Sequence, residues 1–357
     1  MQPALSFTIV AAAGVAALAA PRWPPPARLF ARLGDSGILI PLALGALLGP
    51  VLHVVDASVL HTLAPVAVIA AGWAGATTGA RGEWAALGRS PLSQLGVAVA
   101  RWTALAVVTA AIVWFAVRRL APLAGLWVPL AAAAGTLAAG AAGDRRDNPT
   151  TAERGMAAGI TVVAVALIAV FFHPRQTVSG ASVGWHYWLV MTPTLGAVFG
   201  LAAVGGARVA DKLPLPRGLA DLGLLVLAAG VGAATTVSPF VVCGLAAGAA
   251  VSAAPNSPLR ATLAAHVPVW RSILALCAGL WLAVPSVWLL ALAAAIALVR
   301  VAAGWRLPLG SFDVVALGVG LNAALLGAGG AAMLGTVALA LPLTSLASRR
   351  APVEVGA

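Results

Sequence analysis

Thirteen apolar runs of helical length follow one another between residues 4 and 347, separated by short breaks of charge, proline or glycine. A helix needs about 20 apolar residues to cross a bilayer, whereas a spanning strand needs about 10 of alternating polarity. The runs are of the helical kind. The breaks put helices near 4–20, 36–54, 57–78, 92–117, 121–142, 152–172 and 183–206, then near 218–235, 238–254, 262–283, 285–304, 311–327 and 330–347. The longest polar connection, Gly143 to Glu153, cannot hold a soluble domain. The expected fold class is therefore an all-α polytopic membrane protein of about 13 transmembrane helices, with residues 1–357 as one membrane domain.

Lys and Arg distribute across these breaks in a way that tests the count, because cytoplasmic loops collect basic residues and sidedness alternates with each crossing. With the N-terminus outside, the inner segments hold Arg22, Arg28 and Arg32; Arg81 and Arg89; Arg145, Arg146 and Arg154; Arg208, Lys212 and Arg217; Arg260; Arg306; and Arg349 and Arg350. The outer loops hold only Arg118, Arg119 and Arg175, and Arg101, Arg271 and Arg300 fall within helices. One missed helix would scramble this pattern. The expected location is a cell membrane, multi-pass, with a cytoplasmic C-terminus and the lipid bilayer as main partner. The same scatter of single bases, with no dense patch, argues against a nucleic-acid binder despite the net charge of +11.

Residues 1–21 resemble a signal peptide in length but have no Lys or Arg ahead of the apolar core, which favours a retained first helix. Cys243 and Cys277 lie in separate apolar stretches, so a disulfide framework or metal cluster is not expected. No zinc-ligand spacing, nucleophile elbow or phosphate loop occurs in a fitting context, so neither an enzyme nor a cofactor is expected. His186 stands among Trp185, Tyr187 and Trp188, which reads as an interfacial aromatic belt.

Several stretches resemble one family, the monovalent cation:proton antiporters of the Kef and NapA type. GILIPLALGALLGP (37–50) is similar to the family's second helix, and LAPVAVIAAGWAGATTGARGEWAALGR (63–89) to the third helix and its following turn. LADLGLLVLAAGVGAATTVSPFVVCGLAAGAAV (219–251) resembles the eighth and ninth helices, joined through Thr235, Thr236, Val237, Ser238 and Pro239. HVPVWRSILALCAGLWL (266–282) resembles the tenth, and LLALAAAIALVRVAAGW (289–305) the eleventh, with Arg300 where the family carries a basic residue. The resemblance implies an inverted repeat with scaffold-type helices at about 1–90 and 216–283, core-type helices at about 91–173 and 285–348, and a linker helix at about 183–206. It also implies a homodimer and a small ion as substrate: sodium, potassium, a proton or an anion.

The chain departs from the family where the chemistry should be. The family's sixth helix carries one or two carboxylates that bind cation and proton alternately; MAAGITVVAVALIAVFF (156–172) holds no acid, and Thr161 is its only hydroxyl. Eight of the ten acids fall in loops or the tail, while Asp221 and Asp313 sit in first helical turns. No carboxylate is expected at the midplane, where an ionisable group is costly and usually functional. In the fifth helix the family's polar break falls after Gly135, beside Thr136, and Asp144 and Asp147 read either as displaced remnants or as solvated loop acids paired with Arg145 and Arg146.

The candidate transport residues are therefore Arg101 and Arg271, deep in the fourth and tenth helices, with Arg300, Asn322, Thr161 and Thr136. Arg300 could equally snorkel to the headgroups, and Asn322 could equally bond a neighbouring helix. Arg101 and Arg271 have three ways to be satisfied: helix-end carbonyls, water in a cavity, or an anionic ligand. Two functions compete: a secondary transporter resembling the antiporters, and a degenerate homologue that serves as a membrane scaffold or regulatory subunit.

Overall fold

The structure, a computed structural model, describes residues 3–19, 36–80, 177–178, 181–182, 185–210, 217–253 and 259–282, with single positions between 100 and 338. Its helices are α1 (Pro3–Ala19), α2 (Ser36–Ala46), α3 (Ala57–Ala80), α4 (Trp185–Ala210), α5 (Arg217–Ala234), α6 (Pro239–Ala253) and α7 (Leu259–Leu280). Thr177–Val178 and Ala181–Ser182 form a two-residue antiparallel ladder, the only strand pairing among the described residues. Seven of the thirteen expected helices are thus present, within a few residues of their expected bounds. Of the other six, no more than scattered positions are described. Those seven are the ones assigned above to scaffold-type and linker positions.

Three stretches are long and apolar enough to cross a membrane: Ala57–Ala80, His186–Gly206 and Leu259–Leu280. α1, α2, α5 and α6 supply shorter apolar helices.

One helix departs from expectation. The sequence predicts a helix over 36–54, but α2 gives way at Leu47 to a π-helical turn, Leu47–Val51. Pro50 lies inside that turn and has no N–H to return to the preceding turn. The wider ladder runs from the Leu52 N–H to the Leu47 carbonyl at 2.8 Å, a five-residue step that accommodates the proline. His53 then takes φ 50°, the left-handed conformation that stops helices. Asp56 starts the next one: its carboxylate accepts the Val59 N–H at 2.9 Å and the Ser58 hydroxyl at 2.7 Å, an N-cap for α3. Those bonds, the backbone one first, hold the Asp56 carboxyl below its ordinary 3.8.

Glycine decides how the helices meet. α3 and α6 run parallel, with Gly72 against Pro239 and Cys243, Gly75 against Phe240, and Gly79 against Gly244. A Cβ at Gly75 or Gly79 would collide with the carbonyl of Phe240 or Gly244, so backbone touches backbone. α2 and α7 also run parallel, and there Gly45 meets Leu276 and Gly279 in the same manner. Where lipid surrounds helices, such close approach stands in for a hydrophobic drive. α4 lies parallel to α6 through Gly196 on Leu245 and Gly200 on Ala249. α5 returns antiparallel to α6, with Leu225 facing Cys243 and Gly232 facing Pro239.

Phe240 fills the centre of the main core with Leu274, Leu317 and Leu321, all fully buried. A smaller cluster of Val10, Leu48, Val55, Val59 and Leu280 closes one end, where the Ser6 hydroxyl donates to the Val54 carbonyl at 3.0 Å. At the opposite end, Arg260 Nε donates to the Ala80 carbonyl at 3.1 Å, satisfying an end group of α3 with a cation that favours the helix dipole.

Pro41 creates a further polar obligation, because it cannot donate to Gly37 four residues earlier. Ser272 of α7 lies within reach of that carbonyl, its hydroxyl 3.3 Å from Gly37 O and 3.1 Å from Pro268 O. Ser272→Ala removes this crosslink while keeping the volume nearly unchanged. The expected loss is about 1 kcal/mol, the scale of one interhelical hydrogen bond in a membrane protein. Thermal unfolding of the purified protein in detergent would measure it; an unchanged midpoint would mean the hydroxyl contributes nothing across the α2–α7 pair.

Candidate functional site

Of the six candidate transport residues, Arg271 is the one within the described residues. Arg101, Thr136, Thr161, Arg300 and Asn322 lie outside them, although Leu321, the neighbour of Asn322, is fully buried in the core. The structure therefore speaks to one position of the proposed constellation.

Arg271 sits about three turns into α7, beyond Pro268 and Trp270. It is half-buried, and its Nε atom is shielded from solvent. Helical spacing puts it on one face with Ala275 and Ala278, both fully buried. Ser272, Leu276 and Gly279 define a different face, turned to α2, while exposed His266 and Val269 mark the outer side. Arg271 therefore stands where that face changes, between exposed Ala264 and Pro268 on the turns before it and buried Ala275 and Ala278 on the turns after it.

α3, which packs against α7, carries buried polar groups that the sequence reading did not single out. Trp73 of α3 is 4 % exposed and stacks on Trp270, centroids 6.4 Å apart and planes 22° from parallel. Its indole Nε1 is buried and makes no hydrogen bond. Thr77 and Thr78 are buried one turn further on, and both hydroxyls donate to the Ala74 carbonyl, at 2.9 and 2.7 Å. Such back-bonding loosens and bends a helix. Gly318 packs at that place, against Ala74 and the Phe240 ring. The Trp-Ala-Gly-Ala-Thr-Thr order carried the signal: paired hydroxyls inside an apolar run must bond backward.

No protein-family model matches this chain, and no match to it was found among curated proteins. The antiporter resemblance accordingly rests on the quoted motifs and their order alone.

The turn between α5 and α6 falls where the sequence placed it, between helices expected over 218–235 and 238–254. Ser238 caps α6, its oxygen 3.3 Å from the Val241 N–H, and Pro239 occupies the first helical position, where its missing N–H costs nothing. Thr235 donates to the Val231 carbonyl at 2.7 Å, and Thr236 adopts φ 56°, a strained conformation for a β-branched residue. One member of the aromatic cluster turns inward: Trp188 is 3 % exposed and packs edge-on to Tyr187 at 4.8 Å, so it belongs to the core, while His186 is exposed. Trp188 faces inward because α4 packs against α6 along that side. Among the described residues, no three His, Cys, Asp or Glu side chains gather where they could hold a metal ion.

Proposed function

We propose that the chain is a multi-pass secondary transporter of a small ion, with thirteen membrane-crossing helices, an outer N-terminus and a cytoplasmic C-terminus. The observation that carries this reading is an interchange in the packing. Let α1, α2 and α3 be one unit and α5, α6 and α7 a second. Exchanging them turns the α2–α7 contact into α6–α3, α1–α2 into α5–α6, α1–α7 into α5–α3, and α1–α3 into α5–α7; α3–α7 maps onto itself, and every one of these contacts is present.

The close approaches exchange too, since Gly45 on Gly279 becomes Gly244 on Gly79. Because α3 runs parallel to α6 and antiparallel to α2, the units point in opposite directions. Two such units amount to an inverted-topology repeat, the construction of many secondary transporters, whose substrates bind near the midplane between repeats. Sidedness agrees with this. α3 and α4 both run parallel to α6, which calls for an odd number of crossings between them, and the proposal has three, at 92–117, 121–142 and 152–172.

Sidedness is open to a direct test, because Cys243 and Cys277 are both buried and leave a quiet thiol background. His53→Cys should react with a membrane-impermeant maleimide in intact cells, and Ala261→Cys only after lysis. The reverse pattern would overturn the orientation.

The reading includes a homodimer in the cell membrane and a substrate among sodium, potassium, protons and small anions. Purified protein in proteoliposomes should dissipate an imposed gradient of at least one of these. A second reading, a non-transporting scaffold or regulatory subunit, draws on the carboxylate-free run 156–172. Flux of any of these ions above that of empty vesicles would eliminate the scaffold; vesicles as tight as the empty ones to all of them would eliminate the transporter.

A further inference from the structure

We draw no further inference here: the strongest candidate, the hydroxyl-rich Thr235–Ser238 turn that starts α6 level with Gly72 midway along α3, bonds largely to its own backbone, and no second observation at that turn points to a ligand.

Discussion

Gly79→Leu should abolish the folded protein. At this position an added Cβ meets the Gly244 carbonyl, and the obstacle is backbone in the middle of a packed helix pair. Overpacking a core with flexible neighbours costs about 1–3 kcal/mol, and here no neighbour can swing away, so the expected cost exceeds that range. The observable is loss of a monodisperse peak in size-exclusion chromatography after detergent extraction. Gly45→Leu should behave alike, because Gly45 meets the Leu276 carbonyl across the exchanged α2–α7 pair. Gly205→Ala is the control. Nothing lies within 4 Å of a Cβ there, and a helical glycine replaced by alanine gains up to about 1 kcal/mol. Equal behaviour of Gly79→Leu and Gly205→Ala would show that the α3–α6 crossing is looser than described.

The second large effect concerns Arg271. If half-buried Arg271 of α7 belongs to the transport path, Arg271→Ala should cut gradient-driven flux by at least about tenfold, the equivalent of roughly 1.4 kcal/mol in the barrier. Arg271→Lys should retain part of it, because the charge survives while the planar fork of donors is lost. Size-exclusion profiles and thermal midpoints of both variants separate a transport defect from a folding defect. A well-folded Arg271→Ala protein with full flux of every ion tested would reduce Arg271 to a structural anchor.

The sequence revealed α3, α5 and α6 to within two residues, because their ends carry strong punctuation: Asp56 ahead of α3, Arg217 opening α5 and Ser238-Pro239 opening α6; α7, expected over 262–283, lies three residues earlier, directly after Pro258. It could not reveal the π-helical turn, since Pro50 is equally compatible with a kink, a stop or a wider ladder. Nor does a glycine's position say what it touches. Gly205 and Gly79 look alike in an Ala- and Gly-rich run, yet one faces open space and the other a backbone carbonyl. The Ser272–Gly37 contact joins residues 235 positions apart, so neither sequence neighbourhood hints at it. The candidate site was legible only as a depth: counting along α7 marked Arg271 as lying well within a helix, while the stacking of Trp270 on Trp73 joins two helices that no local pattern could bring together.

The length of α6 has a consequence for the lipid. Fifteen residues rise only about 22 Å, well short of a hydrocarbon layer roughly 30 Å thick. A lone helix of that length would force the membrane to thin around it. α6 escapes the mismatch because nearly all of its side chains are enclosed by neighbouring helices. α3, α4 and α7 each have a stretch long enough to cross a bilayer, and in the proposed membrane setting these are the helices that would match its thickness. Bilayer thickness would then act on those longer helices, while the short α6 answers to the protein around it.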